Sequence, residues 1–369
     1  MRRLIVFLSL TLTLIGCGRS PTAPTPSPVP TSLPRTPLPP ALMVPPPLLY
    51  VQGTTLFEQD AGAPPHRLVD LPDESAVLAA AAVHDTVLVL RERAIQRVRL
   101  ADGSIDTILS FDRPVRFGQL VGGRDGDRAI YQAVANDPDA PFGFRTRIGV
   151  YDANGTVRDL PALTNLTEYT TLQPLGFSAD GTSLYLLPRG QDPSFARVLV
   201  VSLKSGEVAA DLPVEGEGEA VLAPGGRLLA TTARRLFPDA SPEQVIFLYG
   251  LTGQPPTRRM VSLPQASSPA TGVLWAPDGR FMYFALRPRD PSTNQEASAG
   301  LWRLDVETGD VVLVAEVSDA GSQPAALSPN GEWLLMRTAA GEQAILIHLP
   351  TATPESFTLP ATAIIAGWR

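Results

Sequence analysis

The sequence predicts an all-β fold, seven four-stranded antiparallel blades closed into a ring, and three observations predict it. The first is a repeated turn. GFSADGTSLYLL, from Gly176, returns as RDGDRAIYQAV from Arg124, LAPGGRLLATT from Leu222, WAPDGRFMYFAL from Trp275 and LSPNGEWLLMRT from Leu327. Their turn glycines, Gly126, Gly181, Gly226, Gly279 and Gly331, are 55, 45, 53 and 52 residues apart, in the range of propeller blades. The second is a hairpin turn interleaved with the first, at LADGSI, DANGTV, LKSGEV, GLTGQP and VETGDV. Its glycines, Gly103, Gly155, Gly206, Gly253 and Gly309, are 52, 51, 47 and 56 residues apart. Asp-Gly and Asn-Gly tolerate positive φ and so suit two-residue hairpin turns. Two turns per period give four strands per unit, lettered a to d from the axis outward. The third observation concerns the two ends of the repeat region. LLYVQGTTLFEQDAGAPPHRLVDLP, Leu48 to Pro72, supplies three strands, and ATAIIAGWR, Ala361 to Arg369, is left over. If the leftover segment is strand a of the first blade, the ring has no free edge to template aggregation.

In chain order, Arg2 and Arg3 precede an apolar run, Leu4 to Ile15, shorter than the roughly 20 residues of a spanning helix. It reads as a signal peptide over residues 1–16. Leu14-Ile15-Gly16-Cys17 resembles the bacterial lipobox, which implies a lipidated Cys17. Residues 17–47 form a linker with twelve prolines between Pro21 and Pro47, among serines and threonines. Such a composition favours extended polyproline II. The ring is expected over 48–369, which gives about 46 residues per blade. ESAVLAAAAV, Glu74 to Val83, is alanine-rich and favours helix. The repeat needs the inner strand of blade two there, and we assign it so. Cys17 is the only cysteine, so the ring is expected to rest on its core without a disulfide.

The [SP]-x-[DN]-G turns followed by a strand resemble TolB-like and WD-related propeller repeats, over five clear repeats and two degenerate ones. The resemblance implies the fold. It leaves activity open, because propellers of this kind serve as interaction platforms, as binding domains beside peptidases and as enzymes.

Charge narrows the partners. The chain carries a formal −7, and loss of Arg2 and Arg3 with the signal peptide takes it to −9. Nucleic acid, which wants a basic face, is not an expected partner. A membrane, through the lipid on Cys17, and a protein or glycan partner are. The expected location is extracytoplasmic, on the cell membrane or an outer membrane.

Signs of catalysis are weak. Ser178 in GFSADG resembles a nucleophile elbow, but its second glycine is one residue late and a strand should follow. The same residues resemble the sialidase Asp-box, without its tryptophan. LDVETGDV, from Leu304, resembles a quinoprotein turn that also lacks its tryptophan, so no cofactor is expected. His66, His84 and His348 fall on separate blades, in a turn, a turn and a strand, too far apart to form a zinc site. Asn136, Asp137 and Asp139 have oxygens to offer calcium, fewer than the six it wants. The acidic run Glu215, Glu217 and Glu219 reads as a solvated loop.

Strand direction alternates within a blade, so the a–b and c–d turns emerge on one face of the ring and the b–c and d–a loops on the other. The long insertions are b–c loops of four consecutive blades, around Ala135 to Arg145, Pro188 to Ala196, Ala233 to Glu243 and Arg287 to Ala299. Insertions of a repeat protein gather on its binding face. The expected partner-binding residues are therefore Phe142, Arg145, Arg189, Phe195, Arg235, Phe237, Arg287 and Arg289, of types common among interface anchors. The function expected is a non-catalytic, membrane-anchored binding or scaffolding module. Its alternatives are a glycan lyase or hydrolase using loop carboxylates such as Asp137 or Asp290, and a small-ligand sensor with an enclosed apolar pocket.

Overall fold

LLYV, at Leu48–Val51, is apolar at every position because it is buried on both sides. Leu48 and Tyr50 pack against Trp333, Leu335 and Leu346, whereas Leu49 and Val51 pack against Val87, Val89 and Val98. A strand with a blade on either side has no solvent face and so loses the apolar–polar alternation of a half-exposed strand. The computed structural model describes residues 44–369 apart from 73–74, 124–125, 153, 167–168, 191–194, 238–239, 253–255, 265–268, 288–298, 318–320 and 339–342. Cys17 and the rest of the expected signal peptide lie outside the described residues, as does most of the expected linker.

Blade one contains β1 (Leu48–Gln52), β2 (Thr55–Gln59) and β3 (His66–Asp70). Blade two is β4 (Val77–Val83), β5 (Thr86–Arg91), β6 (Ala94–Arg99) and β7 (Ile105–Ser110). Blade three is β8 (Val115–Gly122), β9 (Ala129–Asn136), β10 (Phe144–Tyr151) and β11 (Val157–Asp159). Blade four is β12 (Thr171–Phe177), β13 (Ser183–Arg189), β14 (Phe195–Ser202) and β15 (Val208–Gly216). Blade five is β16 (Ala220–Leu222), β17 (Leu228–Phe237), β18 (Ala240–Gly250) and β19 (Thr257–Ser262). Blade six is β20 (Thr271–Trp275), β21 (Phe281–Leu286), β22 (Gly300–Asp305) and β23 (Val311–Glu316). Blade seven is β24 (Gln323–Leu327), β25 (Trp333–Arg337), β26 (Gln343–His348) and β27 (Thr353–Thr358), after which β28 (Ile364–Trp368) returns to blade one.

The strand order in blade one is β28-β1-β2-β3. Leu48 faces Trp368 and Val51 faces Ile364 across an antiparallel ladder, so the C-terminal segment closes the ring as the sequence implies. The alanine-rich segment is a strand as well: β4 pairs with β5 from Val77 to Val83. Local propensity gives way to the tertiary setting, in which only small side chains leave room for the close approach of Ala82 to Gly367, whose added Cβ would lie 3.2 Å away.

The repeated a–b turn has one geometry throughout. The N–H of Ser178 donates to the Ser183 carbonyl and that of Gly181 to the Ser178 carbonyl, and the same two bonds recur at Gly123, Ala223, Ala276 and Ser328. All five turn glycines have positive φ, from 63° to 73°, which a Cβ would strain. The c–d turns differ from the two-residue turns expected. Arg99 N–H donates to Ser104 O, Ser202 N–H to Glu207 O and Asp305 N–H to Asp310 O, so four residues separate each closing pair. Gly103, Gly206 and Gly309 close these longer loops at positive φ, which brings the chain back into the strand twist.

The core is a ring of wedges between neighbouring blades. Ile130, Ile148 and Val150 of blade three meet Leu172, Leu184 and Leu199 of blade four. Ile246 and Leu248 of blade five meet Met282 and Phe284 of blade six. The wedges bury the inner and middle strands, and the exposed side chains lie at the two faces and along the outer strands, such as β19 and β27.

Candidate functional site

The b–c and d–a connections between blades two and three enclose a cleft of about 300 Å³, lined by Phe111, Asp112, Arg113, Val115, Ala133, Ala135, Asn136, Asp137, Arg145 and Arg147. Local sequence sets each part. Phe111 N–H donates to Arg93 O and Val115 N–H to Glu92 O, which ties the d–a loop to the b–c turn of blade two. Asp137, Ala140 and Gly143 are linked by successive turn hydrogen bonds, with Gly143 at φ 73°, so that Asp137 is turned inward beside the start of β10. Arg145 and Arg147 alternate with Thr146 along β10 and pair with Ala135 and Ala133. Those small partners leave the floor open, and Phe111 and Val115 finish it.

Asp137 is the centre of the cleft. Its side chain is 2% exposed, and its two oxygens are held by Arg113 Nη1 at 2.8 Å and Arg145 Nε at 2.7 Å. The N–H of Asp139 donates to Oδ1 at 3.2 Å. Donation from Arg113 is the main cause that holds the Asp137 carboxyl below the usual carboxylate range, against the opposing effect of burial. The two arginines are themselves more than half exposed, at 53% and 58%. Arg147 pairs with Asp159, whose carboxyl is pushed up by burial, and its guanidinium lies 5.4 Å from the Phe111 ring centre.

Both Asp137 oxygens bind guanidinium groups, which leaves this carboxylate little capacity to coordinate calcium or to accept a proton. Among the described residues no group of three or more His, Cys, Asp or Glu side chains is placed to hold a metal ion. Asp290 lies outside the described residues. Arg113 and Arg147 were missed by reading b–c loops alone. The pairing of Arg113 with Asp137 crosses from a d–a loop to a b–c loop, a relation that only the packing of blade two on blade three reveals.

The other expected anchors are dispersed. Phe142 is half-buried in the turn before β10. Arg189 points inward, donating to Gln173 Oε1 at 3.4 Å and to the Gly218 carbonyl at 3.2 Å, and burial lowers its pKa. Arg235 is exposed on β17, with Nη1 3.6 Å from the Met260 sulfur. The expected long loop around it is largely strand: Arg235 faces Glu243 and Phe237 faces Ala240, because the blade-five ladder simply continues past the ring. Arg287 is half-buried at the end of β21. The side chains of Phe195 and Phe237, and the whole of Arg289, lie outside the described residues.

A larger recess, about 420 Å³, lies on the tight-turn face over blades three to five. Glycines and apolar residues such as Leu175, Phe177, Leu222 and Pro224 form most of its wall, and its polar side chains, of Arg128, Ser178 and Asp180, are engaged in holding the turns. Ser178 Oγ donates to Asp180 Oδ1 at 2.6 Å and accepts from the Ser183 N–H at 3.0 Å. Asp180 also accepts from the Thr182 N–H and hydroxyl, and these donors hold its pKa down to about 2. Ser178 is thus a turn residue. His84 sits in a turn as expected, but His66 begins β3 rather than lying in a turn, and His348 ends β26 with its ring 4.6 Å from that of Trp333.

The acidic run is also more structured than a solvated loop. Glu215 pairs with Arg258 at 2.6 Å, Glu217 accepts from the Arg234 N–H at 2.7 Å, and Glu219 reaches across to blade six.

No protein-family model and no curated protein matches the chain. Solved structures do. The chain is similar to an oligogalacturonate lyase in complex with manganese, at 12% identity and a TM-score of 0.55 over 84% of each chain. It is similar to a puromycin-hydrolysing peptidase of Mycobacterium tuberculosis, at 14% identity and a TM-score of 0.54 over 86% of this chain and 53% of that one. TolB from Acinetobacter baumannii matches at 15% identity and a TM-score of 0.44, over 87% of this chain and 67% of that one. At these identities the likeness is one of fold, and the fold is the seven-bladed propeller that the TolB-like resemblance of the repeats implies.

Proposed function

We propose that the protein is a non-catalytic binding or scaffolding module, held outside the cytoplasm by a lipid on Cys17, which meets its partner with the b–c loop face of the propeller. The observation that carries this reading is the arrangement at Asp137. One buried carboxylate fixes two exposed guanidinium groups at the mouth of a cleft on that face. A carboxylate with both oxygens so engaged and its pKa lowered is a poor proton acceptor, whereas guanidinium groups held in place are good recognition elements. The lipobox-like Leu14 to Cys17 and the proline-rich residues 17–47 support an anchor and a spacer.

The test is in-cell crosslinking of the full chain followed by affinity capture. Arg145→Ala combined with Arg235→Ala is expected to weaken capture of the crosslinked partner in a chain that still unfolds cooperatively, at a lower melting temperature because the buried Asp137 loses one of its two guanidinium partners. Retained capture in that variant, with loss on substitution of Lys204 in the tight-turn face, overturns the assignment of the face. Cys17→Ser is expected to release the protein from membranes, and membrane retention of that variant after signal cleavage overturns the anchor.

A further inference from the structure

We infer that the cleft between blades two and three is a binding pocket for a small organic monocarboxylate with an apolar body. The inference rests on reading this cleft as a recognition element of the loop face, and it goes beyond that reading by naming the ligand chemistry.

Three features carry it. The first is charge. The lining holds the guanidinium groups of Arg113, Arg145 and Arg147 and the carboxylates of Asp112 and Asp137. Arg147 is neutralised by Asp159 and Asp112 is exposed to solvent, whereas Arg113 and Arg145 share the single buried carboxylate of Asp137. That pair of guanidinium groups carries one positive charge beyond its fixed partner, which a single carboxylate neutralises.

The second is donor geometry. Arg145 spends Nε on Asp137, and Arg113 spends Nη1. Each guanidinium has five N–H donors in a fixed plane, so each keeps further donors for a second carboxylate. Asp137, at 2% exposure, is too deep to compete for solvent or to be displaced. It holds two long side chains in one orientation before any ligand arrives. That removes much of the ordering cost that binding would otherwise carry.

The third is the floor. Phe111, Val115, Ala133 and Ala135 are apolar, and Phe111 is itself fixed by Tyr131 at 6.4 Å between ring centres and by Arg147 on its other contact. A polar sugar ring gains little from such a surface, while an alkyl or aryl body is removed from water on it. The volume, about 300 Å³, is at the small end for ligand pockets and suits one compact acid rather than an extended chain.

The experiment uses the full-length chain in detergent and isothermal titration with hexanoate, hexanamide and glucuronate. Hexanoate is expected to bind saturably with a Kd of about 1 mM or tighter. Hexanamide, which keeps the body and loses the charge, and glucuronate, which keeps the charge and loses the apolar body, are each expected to bind at least tenfold more weakly. Arg113→Lys with Arg145→Lys keeps both charges beside Asp137 but loses the planar forks. It is expected to weaken hexanoate about tenfold, with an unfolding transition that remains cooperative. No saturable hexanoate binding, equal binding of hexanamide, tighter binding of glucuronate, or unchanged affinity in the folded double-lysine variant each overturns the inference. Failure here is distinguishable from failure of the scaffolding reading. Partner capture that survives with no hexanoate binding leaves the face assignment standing and removes only the ligand.

Discussion

The carboxylate of Glu219 accepts the backbone N–H groups of Gly272 and Val273, at 2.7 and 2.8 Å. A side chain just before the inner strand of blade five thereby grips the inner strand of blade six. Gly272 sits at φ +62°, and a Cβ there would lie 2.7 Å from the Pro324 carbonyl oxygen of blade seven. Three consecutive blades are in register at this point. Glu219→Ala should lose two charge-assisted hydrogen bonds and destabilise the ring by about 2–4 kcal/mol. Glu219→Gln, with one acceptor oxygen left, should lose roughly half of that. Urea unfolding curves of the two variants check the order, and equal stability of Glu219→Ala and parent refutes the clamp.

Removal of residues 361–369 should open the ring. Ile364, Ile365 and Trp368 are partly buried against blades one, two and seven, and their loss should cost about 4 kcal/mol of apolar burial. It also leaves the inner edge of β1 unpaired. The truncated chain should melt well below the parent and aggregate on heating, as followed by circular dichroism and light scattering.

Acid should act through the paired carboxylates. The folded-state pKa of Asp137 is lowered by Arg113, and that of Asp180 is lowered to about 2 by Ser178 and Thr182. A lowered carboxylate contributes stability that is fully present above the unfolded value, about 3.9, and lost as pH falls through the folded value. The melting temperature should therefore fall between about pH 4 and pH 2. Asp180→Asn should make that fall shallower, because it removes one of the titrating groups responsible.

His84 has φ 54° in the exposed turn between β4 and β5, where a side chain is strained. His84→Gly should raise stability by about 0.5 kcal/mol, the relief of strain exceeding the added chain entropy of glycine. The comparison of interest is with His84→Ala, which keeps the strain and should not stabilise. Thermal melts at one pH decide between them.

The positions that were legible in the sequence are those governed by local backbone chemistry. Gly181 and Gly331 reveal their turns because a positive φ selects glycine within a few residues of chain. The closing strand was legible through the repeat count, and β4 only through it, since its alanines taken alone argue for helix. What stayed hidden depends on neighbouring blades. Arg113 and Asp137 are 24 residues apart in different connections, and nothing in either segment states that they meet. Glu219 looked solvated because its partners are backbone N–H groups, which leave no mark in a sequence. Arg235 looked like a loop residue because a ladder that continues beyond the ring has no turn signal at the place where the ring ends.

Closure through β28 also sets a timetable. Between Gln52, the end of β1, and Ile364, the start of its partner, lie 312 residue steps. A ribosome adding 5–20 residues each second takes about 15–60 s to cover them. Throughout that interval the inner edge of β1 has no mate within its own chain, although its other side pairs with β2 early. Every nascent form that stops short of Ile364 is an open arc with a sticky end. Only a chain read through to Trp368 covers that edge, so until then the arc carries an unpaired strand able to template association with other chains.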